Sequence, residues 1–430
     1  MPQICLYFQL HQPYRLQQYN VFDLGGSQSY FEAPINTQQA TNKQIFQKVA
    51  AKSYTPMLGL LQKLLERHLD FNLALSCSGV FLEQAQHYSP QVINQLKQLA
   101  DTGRVEFLAE TYYHSLAFLY SSEEFKTQVN KHQQLIKHLF NQQPQVFRNT
   151  ELIYSNYIGQ FAAELGFIGS LTEAVDRYLD GREKTQVFAS ASSQPIPLLL
   201  KHALLSDDVA FRFSDRSWNW HPLQAEQYLD WIEVYPEEQF VNLFMDFETF
   251  GEHQWADTGI FQFFEKFVEL FLIKEWNRFV QPTEVFSRYA YDQTVSKGQL
   301  ASPNSSKTIN SNQKVNQDNK LLISKLPVYD VPEYISWADL DRDLTAWNGN
   351  QLQRDALRAL YQLQEPVLQS GDQKLIEDWR RLQTSDHFYY MCTKWSADGD
   401  VHAYFSPYDS PLEAYRRYSV VLADLRQRLI

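Results

Sequence analysis

Cysteine is scarce: Cys5, Cys77 and Cys392 are the only three in 430 residues, an odd number with no CxxC pair. Neither a disulfide framework nor a cysteine-built structural zinc site is indicated. Cys5 and Cys77 stand among apolar residues in strand-like runs and read as buried free thiols, as expected in a reducing cytoplasm. Basic charge is short as well. Lys and Arg number 38 against 50 Asp and Glu, a formal net charge of −12. That balance argues against a nucleic-acid groove, which needs a basic patch, and fits a polar or neutral substrate. No apolar run approaches the roughly 20 residues of a membrane span. The opening MPQICLYFQLHQP has no Lys or Arg before its short apolar run and no small-residue cleavage site, so no signal peptide is expected. What the chain has in plenty is aromatic: 29 Phe, 25 Tyr and 9 Trp, 15% of all residues. Such rings fill cores or, in a cleft, stack on flat polar molecules.

Strand-like and helix-like segments alternate from the start. Strand candidates cover 3–10, 71–76, 105–109, 144–148, 168–171, 202–211 and 240–245. Thr55-Pro56, Ser89-Pro90 and Ser410-Pro411 read as helix starts, Ser121 with Glu124 as a capping box, and Gly103 as a helix stop. Repeated strand–helix units imply a parallel sheet with right-handed crossovers. Seven strands are one short of a full barrel, and a closed or nearly closed barrel carries its site at the C-terminal strand ends. An open doubly wound sheet is the fallback, although no glycine-rich phosphate loop follows the first strand. Residues 296–320 are polar and rich in Asn, Ser, Gln and Lys, and read as a linker or surface insertion. Beyond them, helices are expected over 335–347, 351–368, 374–382 and 411–429, with a polar, aromatic break at 382–391 that contributes to the site. The expected organisation is a catalytic domain over 1–295, the linker over 296–320, and a helical domain over 321–430 that adds to the cleft.

Polar and aromatic residues follow the strands at the same end of the expected sheet. His11-Gln12-Pro13 follows the first strand, Ser78-Gly79 and Glu83-Gln84 the second, and Glu110 through His114 the third. Arg148 to Glu151 follows the fourth, Arg212 with Trp218 and Trp220 the sixth, and Asp246 through Trp255 the seventh. One such residue alone is usually a cap or a surface group. Six clusters at equivalent positions are harder to dismiss. Two separate strands each deliver a carboxylate, Glu151 after the fourth and Asp246 after the seventh, the minimum equipment for cleaving a glycosidic bond.

These motifs resemble family 57 of the glycoside hydrolases, the α-amylase and 4-α-glucanotransferase group. That family is described by five short regions, and all have counterparts here. His11-Gln12-Pro13 matches the first, and Gly79 with Glu83-Gln84 the second. Arg148 through Tyr154 (RNTELIY) matches the third, Met245 to Glu248 with Gly251-Glu252-His253 the fourth, and Pro282 to Val285 the fifth. The third and fourth are specific, whereas His-Gln-Pro alone is weak. The resemblance implies an incomplete (β/α)7 barrel followed by helices. It also implies a retaining mechanism, with Glu151 as nucleophile and Asp246 as general acid/base.

Arg148 or neighbouring histidines would keep Glu151 charged, and apolar neighbours such as Met245 and Phe247 would hold a proton on Asp246. Glu248 competes for the acid role if the strand continues past Asp246. His11, His114 and His253 are placed to bind sugar hydroxyls, and Glu83 belongs to the second region. Trp218, Trp220 and Trp255 are sugar platforms or core. Asp386 resembles an acidic group that the helical region lends to the site in this family; the alternative is a helix N-cap. A zinc site would pair histidine with a nearby Asp, whereas Gln12 and Pro13 follow His11, so no metal or other cofactor is expected. The leading expectation is an α-amylase-like hydrolase of α-1,4-glucans or maltooligosaccharides, in the cytoplasm, with no nucleic-acid or membrane partner. The alternatives are a 4-α-glucanotransferase with the same carboxylates, a noncatalytic carbohydrate-binding paralogue, and a zinc-dependent deacetylase or mannosidase.

Overall fold

The computed structural model describes residues 2–17, 19, 21–26, 29–32, 40–289, 322–338, 340–396, 399–400 and 406–429. The expected polar linker at 296–320 lies outside them. The strands that position the site are β1 (Gln3–Leu10), β2 (Leu73–Cys77), β3 (Val105–Phe107), β4 (Val146–Arg148), β5 (Gly169–Thr172), β6 (Phe188–Ser190), β7 (Pro197–Leu200), β8 (Phe240–Asp246) and β9 (Val328–Tyr329). One sheet has the order β3-β2-β1-β8, all parallel. A second has the order β4-β5-β7-β6-β9, with β4, β5 and β7 parallel and β6 antiparallel to β7.

The two sheets meet on both sides. Ala109, just past β3, donates to Val146 O at 2.9 Å and accepts from Arg148 N–H at 2.8 Å. Across the other margin His202 N–H donates to Asn242 O at 2.8 Å, and Asn242 Nδ2 donates to Leu200 O at 2.8 Å. Period-two alternation divides the side chains. Ile4, Leu6, Phe8, Val241, Leu243 and Met245 pack outward under the helices, while Cys5, Tyr7, Ala74, Val146, Leu171, Leu199, Phe240 and Phe244 share one inner core. Burial on both faces explains why these strands are nearly uninterrupted apolar runs. Helix Pro282–Phe286 lies beneath the inner core, where its Phe286 ring sits so close to Gly169 that a Cβ there would come within 2.3 Å. The fifth region of the family pattern therefore lies at the strand starts, and its Glu284 is engaged by Arg278 and Arg288.

Several expectations need correction. Residues 202–211 are not a strand: Ala203–Ala210 is a helix beside β8, and the sixth parallel strand is β7. His202 caps this helix through Leu205 N–H, Leu205 and Val209 bury one face at i, i+4, and Asp208 pairs with Arg212. Thr55-Pro56 is not a helix start. The helix begins at Asn42, capped by Thr41, and passes through a π-turn at Ala50–Tyr54 into Thr55–Arg67. Ser121 accepts from Glu124 N–H, but the Glu124 carboxylate is taken by Arg380, so only half of the capping box forms. The expected helix at 335–347 shrinks to Thr345–Asn348, because Ile335 pairs with Tyr154 instead. The 351–368 helix breaks into Gln351–Tyr361 and Gln364–Ser370, and the 382–391 break contains a short helix, Ser385–Tyr389. Trp347, Leu360, Trp379 and Tyr418 from this helical region share a core with Tyr113, Phe118 and Ile158. No helix among the described residues is long and apolar enough to cross a membrane.

Candidate active site

The alternation that fills the inner core also aims the polar residues at its upper end. Phe240, Asn242 and Phe244 point inward along β8, so Asp246, the last strand residue, points inward too. The same period carries Val146 to Arg148. Beyond the strand ends the chain turns in strained ways. His114, Glu151, Leu152 and Arg342 all have positive φ, from 49° to 57°, which costs non-glycine residues about 1–3 kcal/mol each and persists where the surroundings enforce it.

Glu151 is held by several donors. Trp337 Nε1 donates to its Oε2 at 2.7 Å, while His114 Nε2 lies 3.3 Å and Ser385 Oγ 3.5 Å from its Oε1. His114 Nδ1 lies 3.0 Å from Glu110 Oε2, so both ring nitrogens face carboxylates. A neutral imidazole has one N–H, so two carboxylate partners call for the imidazolium. Burial alone would push His114 down, but Glu110 and Glu151 outweigh it and raise the pKa to about 9. Burial would likewise raise Glu151, yet the bond and charge of His114, with Trp337, hold it below the ordinary value. Glu110, fully buried beneath, is brought down to about 2 because His114 and Arg148 overcome its desolvation.

Asp246 is the opposite case. Burial and the facing charge of Glu151 raise it to about 6, against weaker pulls from Arg148, Lys201 and His114. The two facing carboxyl groups are thus driven apart in pKa. Glu248 does not continue the inward face of Asp246: β8 stops at Asp246, and a 3-10 turn over Phe247–Thr249 carries Glu248 to the Tyr54 hydroxyl. Burial and the Asp246 charge push Glu248 up to about 8.

His11 stacks on His114 with ring centroids 4.0 Å apart. Burial and the His114 charge lower its pKa; its Nε2 lies 2.9 Å from Asp386 Oδ2 and its Nδ1 2.7 Å from Ser78 Oγ. Asp386 is no N-cap, since Thr384 precedes the helix. It reaches the site because Ser385 N–H donates to His114 O at 2.9 Å and Thr384 Oγ1 to Tyr113 O at 2.9 Å.

Thus His11, His114, Arg148, Glu151, Asp246 and Asp386 come together. Glu83 is engaged elsewhere, accepting from Tyr112 at 2.7 Å and pairing with Arg381 at 3.0 Å. Trp218 packs edge-on against Trp231 under Arg212, and Trp255, 61% exposed, faces Lys52. His253 is half-buried in the loop after Asp246, and burial takes its pKa down to about 4. That loop lies on the π-turn: Gly251 has φ 105°, and a Cβ there would come within 2.0 Å of Lys52 O. Sequence reasoning missed Trp337, Lys201 and Ser385. Trp337 sat inside an expected helix, and Lys201 directly precedes the segment mistaken for a strand. Among the described residues no three His, Cys, Asp or Glu side chains group as a metal site.

The profile of the family described as "Glycosyl hydrolase family 57" matches residues 5–297. A protein of Methanocaldococcus jannaschii named "Putative alpha-amylase" is 34% identical over 431 residues, covering 98% of this chain and 83% of its own length. Among solved structures, a family 57 branching enzyme from Thermococcus kodakaraensis superposes with a TM-score of 0.66 at 12% identity, over 100% of this chain and 90% of that one. The α-amylase AmyC from Thermotoga maritima gives 0.62 at 11% identity, over 100% and 93%. At those identities the two structures speak for the fold alone, an α/β fold with parallel sheets and many helices. With the profile covering well over half of the sequence, the chain belongs to glycosyl hydrolase family 57 and is an enzyme of the glycoside hydrolase class.

Proposed function

We propose that this enzyme cleaves α-1,4-glucans with retention of configuration, as an α-amylase does. Glu151 is the nucleophile and Asp246 the general acid/base. What supports this is the opposed shift of the two carboxyls, Glu151 held below its ordinary value by His114 and Trp337 while Asp246 is raised to about 6.

In the first step Glu151 attacks the anomeric carbon. The glycosidic C–O bond breaks, and its electron pair stays on the departing oxygen, which takes the Asp246 proton. Forming the ester removes the Glu151 charge, one of the two causes of Asp246's raised pKa, so Asp246 becomes a better base for the second step. Water then loses a proton to Asp246 as its oxygen displaces Glu151, whose carboxylate returns. His11 and Asp386 offer donors and acceptors to sugar hydroxyls at the cleft wall, and the ring of Trp255 offers an exposed face.

The architecture that fits is an incomplete (β/α)7 barrel over 1–295, its parallel strands in the order β8-β1-β2-β3-β4-β5-β7. The helical region over 321–430 closes the cleft with Trp337, Ser385 and Asp386. Product analysis on maltooligosaccharides tests the activity: a rise in reducing ends is expected. Chain-length redistribution without that rise would replace hydrolysis by 4-α-glucan transfer. Binding without any turnover would indicate a carbohydrate-binding paralogue.

A further inference from the structure

Trp337 holds Glu151 twice. Its main-chain N–H donates to Glu151 O at 3.2 Å, and its indole N–H donates to Glu151 Oε2 at 2.7 Å. The residue so gripped has the left-handed backbone noted above, φ 57°. The segment bearing Trp337 approaches along the chain that leaves Glu151. Asn156 N–H donates to Val331 O at 2.8 Å, and Tyr154 and Ile335 exchange both main-chain bonds, at 3.0 and 2.9 Å. This zipper stops at Trp337, where the chain turns back: Ser336 N–H donates to Arg342 O at 3.2 Å and Ser336 Oγ to Asp343 O at 2.7 Å.

Arg342, itself left-handed, closes the turn. Its guanidinium donates to Trp337 O, to Glu173 Oε2 at 3.3 Å and to Asp207 Oδ2 at 3.1 Å. Glu173 follows β5, and Asp207 lies on the helix beside β8. One side chain therefore ties the carbonyl of Trp337 to two elements of the catalytic region. Lys201 completes the group at 2.8 Å from Asp207 and 3.9 Å from Glu173, so two cations meet two carboxylates. The Trp337 ring also has Arg148 at 5.0 Å and Lys201 at 5.4 Å, cations that favour its N–H as a donor.

We propose that Trp337 is a positioning residue for Glu151 and that Arg342 is the latch that holds it in place. This rests on Glu151 being the nucleophile. The indole bond fixes Oε2 and leaves Oε1, with its longer contacts, to attack. In the glycosyl-enzyme Oε2 becomes the ester carbonyl, which still accepts the indole N–H, so the grip persists through both steps.

The test uses the full chain, a chromogenic maltooligosaccharide, and kcat and KM measured across pH for Trp337→Phe, Arg342→Met and the double variant, with melting curves for each. Trp337→Phe keeps the ring but lacks the donor. A lost bond to a charged acceptor is expected to lower kcat about 10- to 100-fold with KM changed less than about threefold. It is also expected to move the acid limb of kcat/KM to higher pH, because a donor that stabilises ionised Glu151 is gone. Arg342→Met is expected to shift the same limb in the same direction by less. The double variant should be no slower than Trp337→Phe, because the latch acts through the indole N–H that Phe lacks. Should Arg342→Met fail to fold, Arg342→Lys, which keeps charge but not the three-way contact, takes its place in the cycle. An unmoved acid limb with kcat within about twofold in Trp337→Phe overturns the positioning role. Losses that multiply in the double variant overturn the latch. Glu151→Gln separates these from the underlying reading: an active Glu151→Gln enzyme removes the nucleophile assignment itself, whereas an inactive one with a normal Trp337→Phe profile removes only this inference.

Discussion

The turns after β4 and β8 each present one carboxyl group, and they do so by opposite means. After β4 the backbone enters the left-handed region, and Glu151 is met by an imidazolium, an indole and a hydroxyl. At the end of β8 Asp246 is still extended, with φ −68° and ψ 141°, and its carboxyl is governed by burial and by the charge opposite. Two chemically similar acids thus acquire opposite pKa shifts from what surrounds them, not from what they are: burial raises both, and only at Glu151 do donors outweigh it.

The largest break in that contrast comes from removing either carboxylate. Glu151→Gln is expected to lower kcat by roughly 10⁴-fold or more, and Asp246→Asn by about 10²- to 10⁴-fold, with melting temperatures near wild type. Azide added to Glu151→Ala should restore turnover and give a glycosyl azide of inverted configuration. Failure of azide to yield that product would argue against attack by Glu151.

Next is the cation that separates the two states. His114→Gln leaves Glu110 and Glu151 without the charge between them, so Glu151 protonates at higher pH. The acid limb of kcat/KM should move up, and activity near pH 5 should fall by about 10²-fold. An unshifted limb would mean that His114 does not set the nucleophile's ionisation.

A smaller effect concerns stability at Glu248, the acid that the chain turns away from the site. Its folded pKa, about 8, lies above the ordinary 4.5. Its contribution to stability is therefore complete below pH 4.5 and is lost as pH rises through 8. Between pH 6 and 9 the wild type should lose on the order of 2 kcal/mol relative to Glu248→Gln. Parallel melting profiles for the two would show that Glu248 does not titrate there.

The smallest effect is expected at the rim. Trp255→Ala should raise KM for long maltooligosaccharides roughly 2- to 10-fold and leave kcat nearly unchanged, the scale of one aromatic contact. A KM unchanged at every chain length would take Trp255 off the binding surface.

Local pattern made much of this legible. The apolar run of β8 ending in Asp246, and Val146 and Phe147 leading to Arg148 and Glu151, announce strands that deliver polar groups to one end. What was not legible had a common cause. The run 202–211 reads as a strand although an apolar stretch of that length suits a buried helix equally well, and Ala203–Ala210 is that helix. The segment through Trp337 was read as a helix because its pairing partner, Tyr154, is far away in sequence. Glu248 shares a face with Asp246 only if the strand continues, and the 3-10 turn ends it.

By itself the sequence determined most of the parallel strands and the two carboxylates at their ends, because apolar runs and residue type are local properties. Only the tertiary structure decided which acid is shifted down and which up. That depends on His114 standing between Glu110 and Glu151, on Trp337 and Asp386 arriving from the helical region, and on Glu151 facing Asp246. A pKa is set by desolvation and neighbouring charge, and both exist only once distant segments have met.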